Sequence, residues 1–422
     1  MPPRIAIIGA GPSGLAALKV LRQAGLTDTV AFEQGERVGG NWVYTASEGH
    51  SSVFDTTHII SSKRLSAYSD FPMPDHYPDY PSHRELLAYF ESYARHFDLY
   101  PAIRFRTRVT KAHPEPSGGW RLTLGDGTTE LFDHLLVASG HHWDPRMPEY
   151  PGEFTGTLLH SHAFKSSEPF RAQRVLVVGG GNSACDIAVE TSRVSAHTGL
   201  STRRGYYIVP KFMFGLPTDV LNARMLWLPR AIRSWVHRLG WRLETGGMAR
   251  YGLPEPEHGI LDAHPTVNSE LLYFLRHGTI HPYPDIARFE GKTIHFSDGR
   301  AEPFDAVIAA TGFRITFPFL DRSLMDFSEG AVELYLRVFH PAHSALYFIG
   351  LVQPQGCIWP LAEAQAHVVA ATIQGRVRLP PDVAVRARED AAAIQHRYTE
   401  SHRHTVEVEY HEYLRELQRT VG

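Results

Sequence analysis

The chain has 422 residues, 43% of them apolar and 21% charged, and its formal net charge is −3. It is long enough for two domains with sizeable cores, and the balance excludes a disordered or fibrous protein and gives no basic surplus for nucleic acid. Its two cysteines, Cys185 and Cys357, exclude a disulfide framework and a C-x-x-C redox centre and fit a reducing, cytoplasmic setting.

Met1-Pro2-Pro3 leads straight into Arg4-Ile5-Ala6-Ile7-Ile8, without the basic and apolar regions of a secretory leader. No apolar run reaches the length of a membrane span. Ile5 to Ile8 reads as a buried parallel strand. Gly9-x-Gly11-x-x-Gly14 follows, with Pro12 and Ser13 in the turn, and Leu15 to Leu21 continues as a helix. In such a turn Gly9 permits the tight bend, Gly11 lets backbone approach a pyrophosphate, and Gly14 lets helix pack on strand. Helix N–H groups and the helix dipole then hold the phosphate charge. The next strand, Val30 to Glu33, ends in an acid 19 residues after Gly14, placed to accept ribose hydroxyls.

Gly39-Gly40-Asn41-Trp42 suits either a surface turn or a close approach of backbone to a ligand. Ser82-His83-Arg84-Glu85 predicts a capping box, and Leu86, Phe90, Tyr93 and Phe97 give the helix behind it one apolar face. Ile103 to Val109, Trp120 to Leu124 and Leu131-Phe132 predict an antiparallel hairpin region, and Leu135 to Gly140 a return to a buried strand. His141-His142 and His160-x-His162 do not read as a metal set, because no acid or thiol accompanies them at a metal spacing. Pro145, Pro148 and Pro151 read as a stiff connection leaving the first domain.

A second unit repeats the first. Arg174 to Val178 is a strand, Gly179-x-Gly181-x-x-Ala184 its phosphate turn with Asn182 and Ser183, and Asp186 to Glu190 continues the helix. The following strand ends in Arg203-Arg204, and Arg203 stands 19 residues after Ala184, the offset of Glu33 from Gly14. A carboxylate repels a 2′-phosphate, whereas guanidiniums hold one by charge-assisted, often bidentate bonds. FAD is therefore assigned to the first unit and NADPH, in preference to NADH, to the second. In the less regular segment after Phe212, Ile232, Trp235, Val236 and Leu239 interleave with Arg230, Arg233, His237 and Arg238. It reads as a packed helical insert or substrate-side lid ahead of a membrane-surface helix. Asp305 to Phe313 is a strand ending in Ala310-Thr311-Gly312, Ala345 to Pro354 another, Glu363 to Ile373 a helix, and Val406 to Tyr410 a short strand in a charged tail.

Between the two turns lies Phe154-x-Gly156-x-x-x-His160-x-x-x-Phe164. This F-x-G-x-x-x-H-x-x-x-F stretch, with both turns and the A-T-G strand, resembles the fingerprint of the flavin-containing monooxygenases, a family that oxygenates soft nucleophiles with FAD, NADPH and O2. The resemblance runs from Arg4 to about Tyr413. It implies an α/β fold of two Rossmann-like dinucleotide-binding domains, the second inserted in the first. The FAD domain would span residues 1–160 and 315–422, and the NADPH domain 165–314 with a helical insert at about 212–250. Beside the turn and strand-end residues named above, Gln34, Gly40, Asn41, Trp42, Val109 and Gln353 complete the implied FAD set, and Thr311 and His160 the NADPH set. His160 is expected to fix the joint between the domains, or the nucleotide held across it, and not to act as acid, base or metal ligand.

The family often carries an Asn three residues before the position of Lys63. Here that position is Ile60, followed by Ser61 and Ser62. An isoleucine side chain cannot hydrogen-bond, so a neighbouring hydroxyl or backbone group would have to take over. The implied reaction passes hydride from NADPH to FAD, forms a C4a-hydroperoxide with O2, and oxygenates an amine nitrogen or a sulfide sulfur. Baeyer–Villiger insertion at a ketone, an uncoupled NADPH oxidase and a nucleotide-sensing binding module are the alternatives; the linker lacks the Trp of the Baeyer–Villiger pattern. The partners expected are a small-molecule substrate and O2, and a homodimer is left open. Mammalian members end in an apolar anchor, while Glu416 to Gly422 here is charged, so a soluble, bacterial-type member is expected.

Overall fold

The structure, a computed structural model, describes residues 2–47, 49–263, 265–325, 327, 332–397 and 406–422. The chain divides into two compact units, Met1–Val43 with Lys63–Asp144 and Arg314–Gly422, and Tyr44–Ser62 with Pro145–Phe313. Two stretches sit differently from expectation. Tyr44–Ser62 belongs to the second unit, because Lys165 Nζ donates to Ser51 O (2.6 Å), Asp55 N donates to Lys165 O (3.0 Å), and Phe54 packs edge-on against Phe164. The second unit also starts at Pro145, because Thr157–His160 is a strand of its sheet.

In chain order, β1 (Ile5–Ile8) leads to α1 (Pro12–Gln23) and β2 (Thr29–Phe32). α2 (His83–His96) opens on the capping box, with Ser82 Oγ accepting from Glu85 N and Glu85 Oε2 from Ser82 N at 2.7 Å. β3 (Ile103–Arg104) does not join the predicted hairpin. It pairs parallel to Ala31–Phe32, because Glu33 N donates to Arg104 O and Thr107 N to Glu33 O, both at 2.9 Å. The antiparallel layer is β4 (Val109–Pro114), β5 (Trp120–Leu124) and β6 (Thr129–Phe132), followed by β7 (His134–Val137). The second unit supplies β8 (Thr157–His160), β9 (Arg174–Val178), α3 (Asn182–Ser192) and β10 (His197–Ser201). It continues with α4 (Thr218–Arg224), α5 (Arg230–Thr245), β11 (Ile280–Tyr283) and β12 (Ala306–Ala309). The chain returns to the first unit with β13 (Leu346–Phe348), α6 (Ile358–Ile373) and α7 (Tyr410–Val421).

Each unit is built on a five-stranded parallel sheet, in the order β13-β7-β1-β2-β3 in the first and β11-β10-β9-β12-β8 in the second. β1 and β9 read as unbroken apolar runs because both faces of these strands are covered. Ile5 registers with Thr29 on one side and His134 on the other; Val175 registers with Thr198 and Ala306. So in both sheets the strand entering a glycine turn lies where the strand order reverses, the place where such sheets open a crevice for a ligand. The first core packs Phe32 edge-on against Phe132 at 5.8 Å, with Trp120 and Phe348. The second packs Ile187, Leu200 and Ile308 with Trp241.

Candidate cofactor sites

In the first unit β1 delivers Gly9 at φ +105°, where a Cβ would stand 2.7 Å from Ala138 O, and a Cβ on Gly14 would stand 2.0 Å from Gly9 O. Those two glycines answer to the turn itself. Gly40, at φ +54°, has a different reason: it comes so close that its Cβ would lie 2.9 Å from Gly11 Cα. Gly39 N also donates to Ala10 O (3.1 Å), so the Gly39–Trp42 stretch closes on the phosphate turn. α1 begins at Pro12 with no side-chain cap, which leaves its first-turn N–H groups for an anion. Ser13 stands against Gly350, where a Cβ would meet its Oγ at 2.2 Å.

Glu33 is buried, and its Oε2 accepts from Ala10 N (2.9 Å) while its Oε1 accepts from Gly35 N (2.7 Å). The carboxylate thus clamps the turn to the strand end, and each oxygen keeps a lone pair for a ribose hydroxyl. Gln34 beside it is exposed. Val109 is core, paired with Leu124, so only its backbone is available to a ligand. Trp42 meets Trp359 edge-on at 5.9 Å, and Trp359 Nε1 is held by Ser66 O. Asn41 sits between Gly40 and Trp42 in the same short helical turn.

The segment after β7 carries a feature that the sequence did not show. The Gln353 side chain hydrogen-bonds His141, and Gln353 N donates to Val406 O (2.7 Å). Burial, with His142 beside it, holds the His141 imidazole well below its usual range, so it is neutral. Its Nε2 is buried without a hydrogen-bond partner, and so is Ser139 Oγ. Two unsatisfied polar atoms at the carboxyl edge of the central strands fit a polar ligand resting there. The only sequence signal was the His141-His142 pair, considered as metal ligands; among the described residues no group of three His, Cys, Asp or Glu could hold a metal.

The second unit repeats the cradle with different walls. Gly179 has φ +135° and a Cβ there would lie 2.4 Å from Ala310 O; Gly181 caps α3 without a side-chain bond. Ala184 is buried where the helix meets the strand, and Ser183 is exposed at the helix start. Asn182 Oδ1 accepts from Val267 N (2.7 Å), and Thr266 Oγ1 donates to Gly180 O (2.7 Å), so a neighbouring strand braces the turn. Gly180 must lack a side chain because the Tyr206 ring lies over it, 2.0 Å from where a Cβ would be. Tyr206, Arg204 and Thr202 line a small pocket with Gly180, and Thr202 Oγ1 is buried with no partner. Arg203 and Arg204 are both exposed, and the charge of Arg203 acts on Tyr150, whose hydroxyl is pushed up to about 12 by burial and by Asp285. The pocket wall is therefore Arg204, with Thr202 and Tyr206 added to the residues legible in the sequence.

His160 and Thr311 are both engaged within the second unit. His160 Nδ1 accepts from His162 N (3.1 Å), so its Nε2 carries the proton and donates to Gly312 O (2.9 Å). Burial pushes this imidazole down to about 4. Gly312 O also accepts from Arg146 N (3.0 Å), and Thr311 Oγ1 donates to Arg146 O (2.6 Å). Both ring nitrogens of His160 are thus engaged by backbone groups of the second unit. It ties the end of β8 to the A-T-G segment. Ile60 is half-buried, while Ser61 and Ser62 are buried; Ser62 N donates to Asp219 Oδ2 (2.6 Å), and Ser62 Oγ has no partner.

Two uncapped phosphate turns at the reversal points of two parallel sheets, one with a buried carboxylate at its strand end and one with guanidiniums, define an oxidoreductase fold with places for two dinucleotides. Residues 3–422 match the family model described as flavin-binding monooxygenase-like. Flavin-containing monooxygenase 5 of Mus musculus is 35% identical over 452 residues, covering 99% of this chain and 83% of that protein. Dimethylaniline monooxygenase [N-oxide-forming] 2 of Macaca mulatta is 34% identical over 451 residues, covering 100% of this chain and 83% of that protein. The structure of S-allyl-L-cysteine S-oxygenase from Allium sativum has the same fold at a TM-score of 0.75 and 24% identity, covering 100% of this chain and 88% of that one. The chain belongs to the flavin-binding monooxygenase-like family and is a flavin-dependent monooxygenase. The family uses FAD and NADPH.

Proposed function

We propose that the protein uses NADPH and O2 to oxygenate a soft nucleophile, an amine nitrogen or a sulfide sulfur, with FAD held by the first unit and NADPH by the second. The observation that carries the cofactor assignment is the contrast between the strand ends. Buried Glu33 faces one phosphate turn, and Arg204 with unpartnered Thr202 Oγ1 lines the pocket beside the other. A 2′-phosphate suits the second and is repelled by the first. Both cradles fit a dinucleotide, since each has an uncapped helix start, a glycine with no room for a side chain, and a buried polar atom lacking a partner.

When bound, the flavin accepts hydride from NADPH and activates O2. The rest is positioning by this chain. Gly11 and Gly40 admit the pyrophosphate, Glu33 orients a ribose, Trp42 and Trp359 wall the site, and Ser139 and neutral His141 offer hydrogen bonds. In the second unit Arg204 takes the 2′-phosphate, Tyr206 flanks the adenosine, and Ser62 Oγ supplies the polar group that Ile60 cannot. The buried thiols of Cys185 and Cys357 suit a reducing cytoplasm. Nitrogen or sulfur oxygenation is favoured by the plain F-x-G-x-x-x-H-x-x-x-F linker and by the N-oxide-forming activity named for the macaque relative. The balance is NADPH, H⁺, O2 and substrate giving NADP⁺, water and the oxygenated substrate. The test is the product formed from an amine, a sulfide and a ketone under labelled dioxygen; label in the ketone-derived ester alone would replace this reading with Baeyer–Villiger insertion.

A further inference from the structure

Burying a guanidinium or ammonium is costly, and folded proteins offset the cost by pairing it or hydrogen-bonding it. Among the described residues, Lys19, Lys165, Arg233 and Arg337 are the buried cations. Lys19 pairs with Asp70 and Glu363, Lys165 Nζ donates to Ser51 O, and Arg337 Nη2 donates to Asp390 O (2.9 Å). Arg233, on α5, differs from the other three. It is only 5% exposed, and its Nε is buried with no hydrogen-bond partner. Its guanidinium makes no ion pair and no hydrogen bond among the described residues. Asp262, which meets the same helix, is used elsewhere: its Oδ1 accepts from Arg230 Nη2 (3.0 Å) and its Oδ2 from Gly259 N (3.2 Å).

α5 starts at Arg230, behind Pro229, with no side-chain cap and no acid in its first turn, so its first N–H groups favour a negative charge. His237, one turn after Arg233, supplies none: burial and the Arg233 charge push its imidazole down to about 4, and it is neutral. Its Nε2 donates to Asn222 Oδ1 (2.9 Å), which lays α5 against α4. One turn back on α4, the Asp219 carboxylate is engaged as well, accepting from Ser62 N (2.6 Å) and Val220 N (2.8 Å). We propose that the start of α5 is a binding site for an oxyanion, a carboxylate or a phosphate, held by the Arg233 guanidinium. A planar fork of N–H donors matches two oxygens of such a group, and the match is lost with an uncharged ligand. The anion is either the acid group of a small organic molecule or inorganic phosphate. Because α4 carries both Asn222 and Asp219, the site is joined to the Ser62 segment within the same unit.

Binding is measured by calorimetry and thermal shift on the full chain carrying its flavin, with NADP⁺ saturating so that the nucleotide phosphate sites are filled. The probes are inorganic phosphate, methylthioacetate and the methyl ester of that acid. At least one of the two anions binds and raises the melting temperature, and the uncharged ester does not. Tighter binding of the acid assigns the site to an organic acid, and tighter binding of phosphate assigns it to the free ion. Arg233→Met removes a buried charge that lacks a partner, so without anion it melts at or above the parent. Its affinity for the anion falls about tenfold or more, as loss of a charge-assisted contact requires. Arg233→Lys keeps the charge without the fork and also weakens binding, which serves if the Met variant does not fold. Arg238→Met, at an exposed position of the same helix, leaves binding unchanged. The proposal is overturned if neither anion binds, if the ester binds as tightly as the acid, or if both Arg233 variants keep the parental affinity. An equal loss at Arg238→Met overturns it too.

Discussion

At the scale of single residues, the second cofactor site separates two neighbours that look equivalent in the sequence. Arg204 lines the pocket with Thr202 and Tyr206, while the charge of Arg203 acts on Tyr150. Arg204→Ala should raise KM for NADPH at least tenfold and leave KM for NADH nearly unchanged, whereas Arg203→Ala should shift NADPH by a few-fold at most, as one charge-assisted contact contributes about 1.5–3 kcal/mol. Steady-state kinetics with both nucleotides decides it, and equal effects of the two variants would move the 2′-phosphate contact elsewhere. His160 makes a second residue-level claim. Its folded value of about 4 lies below the ordinary histidine value near 6.5, so its contribution to stability is present above pH 6.5 and lost as pH falls towards 4. His160→Gln can still donate to Gly312 O without titrating. Its melting temperature should fall less between pH 7 and 5 than that of the parent, and parallel curves would contradict the assignment. Glycines and strand-end charges could be read from the sequence because backbone geometry and ribose chemistry restrict those positions to few residue types. The His141–Gln353 bond and the unpartnered Thr202 hydroxyl could not, since they depend on partners far apart in the chain or on burial that no local pattern encodes.

At the scale of elements, the helix that starts on the first phosphate turn is fastened from behind. Lys19 of α1 is buried and pairs with Asp70 (2.6 Å) and with Glu363 of α6 (3.1 Å), whose other oxygen accepts from Ser69 N (2.8 Å). Removing one member of such a buried set leaves a charge without its partner, at a cost of about 3–5 kcal/mol. Glu363→Ala should therefore lower stability in denaturant by about that much, and Lys19→Met with Glu363→Leu should recover most of it. If the single variant melts with the parent, the triad is not what fastens α1 to α6. The sequence conveyed the capping box at Ser82, whose two bonds are local. It misled at Ile103–Arg104, because a two-residue strand carries too little pattern to distinguish a parallel edge from a hairpin arm.

At the scale of the whole molecule, two copies of one topology account for both cradles. The repeat was legible because each copy restates the same strand, turn and charged strand end. The membership of Tyr44–Ser62 in the second unit was not, as it rests on Lys165 reaching Ser51 and on Phe54 meeting Phe164, contacts across more than a hundred residues. The central claim is that this architecture delivers one oxygen atom from O2 to a soft nucleophile at the expense of one NADPH. The most direct measurement is mass spectrometry of products formed under ¹⁸O-labelled dioxygen, with NADPH consumption and H2O2 counted in the same reactions. The account predicts one labelled oxygen in the sulfoxide or N-oxide, nearly one product per NADPH, and little peroxide. Unlabelled product, or NADPH consumed wholly to peroxide with every amine and sulfide offered, would contradict it.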